Sequence, residues 1–326
     1  MTLSKIAKNA NVSVSTVSKV FSDSPEISKE TKDTVIKVAK ELGCYEKYYK
    51  PKYAKKLIAV ICPEVLGIHY SQMATYIEND IKKRGGTTVV SVSGFSPETQ
   101  TELIDYYTNF AHADGIIVID PISEITTTSE IPIIQIALDN IKSNVHCINI
   151  DVSDALDEIL TLLKDFGHRK IGFIGEKYTE AEFNIFKRHM DKNGLSLQPK
   201  YIAINNERFY DCGYYGMDYF IKNKDIPTVV FSAYSHITLG IFQKLTEENI
   251  RVPEDVSVIC MDNINCSPYS NIELSCIKMP LSELCAEAVH LLYRIFGKRY
   301  NFSKHTITVK REFIRGKTIY NLNEKS

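Results

Sequence analysis

Ser13, Ser15, Thr16, Ser18 and Lys19 form the densest group of potential hydrogen-bond donors near the start of the sequence, and no acidic residue interrupts them. Small hydroxyls allow close approach to a phosphate backbone and donate to its oxygens, whereas carboxylates would be repelled. At helical spacing Val14, Ser15 and Lys19 share an outer face and are candidate readers of base edges. Ser13, Thr16 and Ser18 are candidate phosphate contacts, and Leu3 and Ser4 complete the candidate set in the preceding segment. A helical bundle with a serine-rich surface is the plainer alternative.

The elements that must position these side chains are legible nearby. Leu3, Ile6, Ala7, Ala10, Val12, Val17 and Val20 recur mostly at steps of three or four, which predicts two short amphipathic helices around a turn. The first runs from about Leu3 to Ala10 and ends at Asn11, a residue that tolerates a left-handed backbone. Ser13 caps the second, which runs to about Phe21. A third begins after Ser28, buries Val35, Val38, Ala39 and Leu42, and stops at Gly43. This is a helix-turn-helix unit, whose second helix enters the major groove of double-stranded DNA.

Charge divides the chain in the same place. Residues 1–57 carry twelve lysines against six acids, net +6, while the remaining 27 basic and 34 acidic residues give net -7. A basic head on an acidic body suits a polyanion-binding module on a globular domain. The 326 residues exceed one typical domain, and neither an eighteen-residue apolar run nor a signal-like leader is present, which predicts a soluble, cytoplasmic protein without membrane association. The eight cysteines include no C-x-x-C pair and no metal-spaced cluster with histidine, so reduced thiols and no metal are expected.

Beyond the head, short apolar runs alternate with helical stretches. Strands are predicted at 58–62, 87–92, 115–119, 133–136, 147–150, 170–174, 228–231 and 256–261, with amphipathic segments at 73–84, 155–166 and 284–296. This alternation predicts an α/β body with mostly parallel sheets. No glycine fingerprint for a nucleotide follows a strand, and no nucleophile or carboxylate pair accompanies His168, so neither a cofactor nor a catalytic residue is expected.

Thr2 to Val20 closely follows the pattern T-L-x-x-[IV]-A-x-x-A-x-V-S-x-x-T-V-S-[RK]-V, and Ile27-Ser28-Lys29-Glu30-Thr31-Lys32 follows V-S-x-x-T-[RK]. Phe166 to Gly175, Ile250 to Val258 and Arg311 to Arg315 extend the likeness through the body. The chain resembles the LacI/GalR family of bacterial transcription regulators over residues 2 to about 319. The resemblance implies a helix-turn-helix domain at 1–45, a basic hinge at 46–57, a two-lobed type I periplasmic-binding-protein-like domain at 58–319 and a short tail at 320–326. It further implies base reading by Val14, Ser15 and Lys19, a ligand cleft between lobes, and hinge closure that couples ligand to DNA.

Aligned on that family, Tyr70 matches an aromatic that packs on ligand, and Asp151 and Asp262 match acidic cleft positions. Glu182 stands where an arginine commonly binds sugar hydroxyls, and Ser235 where a sugar-binding aspartate stands; Phe209 or Tyr210 is a further stacking candidate. Replacing a guanidinium with a carboxylate reverses the charge the site presents. The effector, a sugar or derivative by resemblance, is then expected to be cationic, amine-bearing or a modified glycoside, unless the cleft takes no small ligand. The hinge is one residue short and runs directly into Ile58, so Lys52, Lys55 and neighbouring lysines are expected to attract phosphates while DNA bending stays weak.

Together these readings predict a homodimeric regulator, a repressor, on a pseudo-palindromic operator. The alternatives are a ligand-binding or sensory protein with weak DNA affinity, and a regulator controlled by a protein partner.

Overall fold

Two capped helices set the geometry of the head. In the computed structural model, which describes residues 3–22, 24–48, 56–128, 131–138, 143–262, 273–296 and 304–324, helices α1 (Leu3–Asn9), α2 (Val14–Phe21), α3 (Lys29–Glu41) and α4 (Tyr45–Tyr48) belong to a compact unit, Met1–Lys56. Ser13 and Ser28 are extended N-caps whose hydroxyls accept from Thr16 N and Thr31 N at 3.0 and 3.3 Å, each satisfying an otherwise orphaned amide. Asn11 lies at φ 54° and Gly43 at φ 63°, the left-handed turns expected at both positions. Ile6, Val17, Val20, Phe21, Val35 and Ala39 form the buried core.

The second unit, Leu57–Ser326, holds two lobes. The first contains β1 (Leu57–Cys62), α5 (Ile68–Lys83), β2 (Thr87–Val92), α6 (Pro97–Asp105), β3 (Gly115–Ile119), β4 (Ile133–Leu138) and β5 (His146–Asp151). The chain then builds the second lobe: α7 (Ser153–Asp165), β6 (Ile171–Glu176), α8 (Glu180–Lys192), β7 (Ile202–Asn205), α9 (Phe209–Lys222), β8 (Val229–Ser232), α10 (Ser235–Glu247), β9 (Ser257–Cys260) and β10 (Ser275–Lys278). It returns to the first lobe for α11 (Leu281–Phe296) and β11 (Thr306–Lys310), and crosses once more to β12 (Glu312–Ile314).

Each lobe is one six-stranded sheet, ordered β11-β5-β4-β3-β1-β2 and β12-β10-β9-β8-β6-β7, parallel except at β10–β12. Period-two alternation explains the layers. Ile58, Val60 and Cys62 of β1 pack with Met73 and Ile77 of α5 and Leu284 of α11, while Ala59 and Ile61 pack on the other face with Tyr107 and Ala113. In the second lobe Phe173, Phe186, Phe220 and Phe231 anchor one core.

Four strands beyond those predicted from apolar runs complete the sheets: β7, β10, β11 and β12, of which the last falls within the Arg311–Arg315 likeness. Helix α5 begins at Ile68, five residues ahead of the predicted Met73. His168 is fully buried, bonded through Nδ1 to Thr228 Oγ1 and through Nε2 to the Tyr320 carbonyl, both at 2.9 Å. It ties β6 and β8 to the closing segment, and burial lowers its pKa.

Candidate DNA-contact face and effector cleft

On α2, Val17, Val20 and Phe21 turn inward and leave Val14, Ser15, Ser18 and Lys19 exposed. Val14 is 45% exposed, on the face of α2 opposite the head core. Ser13 Oγ lies 2.7 Å from Ser15 Oγ and 2.8 Å from Thr16 Oγ1, so the cap joins three hydroxyls into one polar cluster. Ser4 is exposed on α1, whereas Leu3 packs partly against the head core. Lys19 Nζ is held by Glu26, whose pKa is lowered by that bond. Glu26 escaped the sequence reading because it lies seven residues away and beyond the end of α2. Lys52 and Lys55 lie outside the described residues.

Between the lobes of the second unit lies a cleft of about 800 Å³ of free space, its open mouth included. Loops after β1, β2 and β3 and the start of α5 supply Glu64, Phe95, Asp120, His69 and Tyr70; the second lobe supplies Glu176, Tyr178, Glu182, Arg208, Phe209, Tyr234, His236 and Asp262. Strand β5 contributes Ile150, and the crossings between lobes contribute Met279 and Arg311. Topology thus gathers loops from the carboxyl ends of parallel strands, the usual binding position in such sheets.

Arg208 dominates the mouth. Its Nη1 and Nη2 donate to Glu64 Oε2 and Oε1 at 2.7 and 2.9 Å, and Nε and Nη2 reach Glu176 at 3.0 and 3.1 Å. Phe209, Tyr178 and Phe95 surround the guanidinium at 4.4, 5.0 and 5.5 Å from their ring centres, favourable cation–π placements. Phe95 and Tyr178 stack at 3.8 Å across the lobes. Phe95, Asp120 and Phe209 have positive φ of 60°, 42° and 53°, and such backbone costs concentrate at binding sites.

The interior is acidic. Glu182 is half-buried, and burial with the nearby Asp120 charge pushes its pKa up to about 7. Burial opposes charge on His69, but the Asp120 and Asp262 carboxylates outweigh it and raise its pKa. Arg311, 6% exposed, donates through Nη2 to the Met261 and Ile277 carbonyls.

Of the six residues expected around the effector, the structure brings Tyr70, Glu182, Phe209 and Asp262 to the cleft wall. Asp151 is not among the lining residues: its Oδ1 accepts Ser153 N at 2.9 Å at the start of α7, and its carbonyl accepts Arg311 N. Ser235 is also outside the lining, 2% exposed in the first turn of α10, while Tyr234 and His236 on either side face the cleft. Glu64, His69, Asp120 and Arg208 were missed by sequence reading. Only their assembly in space marks them, since Glu64 and Arg208 stand 144 residues apart.

No helix among the described residues is long and apolar enough to cross a membrane. Residues 2–46 match the model of bacterial regulatory proteins of the lacI family, and residues 160–319 match the periplasmic binding protein-like domain. The chain is 24% identical over 316 residues to catabolite control protein A of Priestia megaterium, covering 91% of this chain and 93% of that protein. Its fold matches the lac repressor dimer bound to operator and the anti-inducer ONPF with a TM-score of 0.72, at 19% identity and 98% coverage of each chain. It matches the transcriptional regulator CelR in its cellobiose complex with a TM-score of 0.65, at 20% identity, covering 98% of this chain and 99% of that one. With its helix-turn-helix head and two-lobed body, the chain belongs to the lacI family of bacterial regulatory proteins and is a DNA-binding transcriptional regulator rather than an enzyme.

Proposed function

We propose that this regulator is a cytoplasmic repressor that binds a pseudo-palindromic operator as a homodimer and releases or tightens it in response to a small effector in the inter-lobe cleft. The observation that carries this reading is the exposed face of α2. Val14, Ser15 and Lys19 reach outward from a helix whose N-cap clusters hydroxyls for phosphate contact, in a head of net charge +6 over residues 1–57. One short helix reads too few base pairs to select a site within a genome, which favours paired heads.

Exposed apolar surface supports pairing. The edge strand β2 carries Val89, Val90 and Val92 at 38–43% exposure, and α9 presents Tyr210, Tyr215 and Tyr219. Uncovered apolar edges invite association, and a second copy would bury them. The cleft supports effector control, since it joins polar groups from both lobes around an open space, and the CelR relative holds cellobiose.

The test is selection of bound genomic fragments by the full-length protein, repeated with Ser15→Ala and Lys19→Ala together. A symmetric motif lost in the double variant supports the proposal. Salt-sensitive binding without a motif would instead favour a ligand-binding or sensory protein with non-specific DNA affinity.

A further inference from the structure

At its inner end the cleft holds charges that are placed but not joined. His69 stands 3.7 Å from Asp120 Oδ2 and 3.9 Å from Asp262 Oδ2, and Arg311 Nη2 stands 3.7 Å from Asp262 Oδ1. All three gaps exceed charge-assisted hydrogen-bond length. The Arg208 contacts at the mouth, in contrast, close at 2.7–3.1 Å.

Asp262 is 6% exposed, and among the described residues its Oδ1 has no hydrogen-bond partner; the same holds for Nε of Arg311, also 6% exposed. Buried polar atoms are nearly always satisfied. Two orphans on residues lining one cleft therefore point to a ligand that both donates to a carboxylate and offers an acceptor to a guanidinium.

Charge identifies the donor. Beside Arg208, one guanidinium engaged by the two carboxylates of Glu64 and Glu176, the cleft sets Asp120, Glu182 and Asp262 against His69 and Arg311, so acids outnumber bases and a cation is favoured. No group of three metal-ligating side chains occurs among the described residues, which favours an organic cation over a metal ion. The orphan Arg311 donor asks for a neutral oxygen on the same molecule, and Phe95, Tyr178 and Phe209 offer aromatic faces for the apolar side of a sugar ring.

We infer that the cleft takes an amino sugar, its ammonium set among Asp120, Glu182 and Asp262 and a ring oxygen or hydroxyl toward Arg311. This assignment rests on the reading of the chain as an effector-controlled regulator. Glu182 fits it chemically, because a carboxyl whose burial holds it near half-protonation releases its proton to solvent readily once a cation stands beside it.

The full-length protein is titrated calorimetrically with matched sets of glucosamine, N-acetylglucosamine and glucose, and their galacto and manno counterparts. At least one amine binds about tenfold or more tighter than its acetylated and neutral partners, and Asp262→Asn removes that preference. Because Asp262 is buried, Glu182→Gln on the half-buried wall serves as a second variant, and it too reduces the preference. Equal or tighter binding of the neutral or acetylated sugars, or no binding by any amine, overturns the inference. Fragment selection with the same preparation separates the two readings: an intact operator motif without amine preference sinks the amino-sugar assignment alone, whereas amine preference without an operator motif sustains it and sinks the regulator reading.

Discussion

Arg208 and Glu64 form a bidentate ion pair that joins the two lobes across the cleft mouth, at 2.7 and 2.9 Å. Glu176, 2% exposed, lies on the Arg208 side and completes the fork from within the second lobe. The pair is anchored on both sides and bridges the lobes directly. The Glu64 bond largely accounts for the raised Arg208 pKa.

Arg208→Ala therefore loosens closure and leaves two carboxylates facing an apolar ring cage. A loss of about 1–3 kcal/mol in stability is expected, between the values for exposed and fully buried pairs. Arg208→Lys recovers charge without the fork and restores only part of it. Thermal melts report the stability, and fluorescence transfer between labels on the two lobes reports closure. An unchanged inter-lobe distance in Arg208→Ala would show that the pair does not hold the cleft shut.

In the head, Glu26 holds the amino group of Lys19, which the proposed base reading needs free. On the proposed reading Lys19 leaves Glu26 to reach DNA, and the carboxylate itself would repel phosphate. Glu26→Gln is expected to tighten operator binding by a few-fold at low salt, the small effect of an exposed pair, and the gain should shrink as salt rises. Binding isotherms at two salt concentrations measure both effects. Weaker binding by Glu26→Gln would mean that the pair orients Lys19 for DNA rather than withholding it.

How far the sequence reveals these features follows from the range of each signal. The head is written in local chemistry: Ser13 and Ser28 as caps, Asn11 and Gly43 as left-handed turns, valines at helical spacing. Interior strands such as Gly115–Ile119 are buried on both faces and read as unbroken apolar runs. Strands β7 and β11 lie at or near sheet edges, alternate with exposed residues and carry no such run. Cleft residues were legible only through alignment, which found Glu182 and Asp262 but misplaced Asp151, a side chain turned to the start of α7. Arg208 has no local mark at all. Its role depends on Glu64, Phe95 and Tyr178, which meet it only once both lobes have folded.

Helices α9 and α10 test the packing directly. A Cβ on Gly213 would lie 1.9 Å from the Ile237 carbonyl oxygen, and one on Gly240 would lie 1.9 Å from that of Tyr210. The two helices approach so closely that backbone, not side chain, fills the interface. Gly213→Ala or Gly240→Ala must push them apart, with an expected cost of about 3 kcal/mol or more, above ordinary overpacking. Chemical denaturation measures it. A cost below about 1 kcal/mol would mean that the helices separate freely.

Glu182 makes the body's stability depend on pH. Its folded pKa of about 7 lies above the ordinary 4.5, so the folded state holds a proton that the unfolded state has released between those values. Stability is full below about 4.5 and declines as pH rises toward 7. Asp120, His69, Tyr70 and Arg311 face this carboxyl. His69, with its raised pKa, adds a loss in the same direction as it deprotonates above 6.5. Glu182→Gln removes the carboxyl contribution: about 1–3 kcal/mol of stabilisation at pH 8 and little at pH 4.5. Melts across this range would contradict the assignment if the variant gained as much at low pH as at high.

Leu57 bears on how the regulator treats its DNA. It is the first residue of β1, paired with Thr87, and its amide donates to Asp114 Oδ2 at 2.8 Å while its carbonyl accepts Asp114 N. A side chain inserted between base pairs would have to give up this sheet edge, including two hydrogen bonds that each contribute about 1 kcal/mol. Operator bending is therefore expected to be small and to change little in Leu57→Ala, whose main effect is a modest loss of body stability. Lysine contacts to phosphate then supply most of the affinity, so the logarithm of the binding constant falls steeply with the logarithm of salt concentration. Circular-permutation gel shifts measure the bend. A large angle that disappears in Leu57→Ala would show that Leu57 leaves β1 on the operator and acts as a wedge.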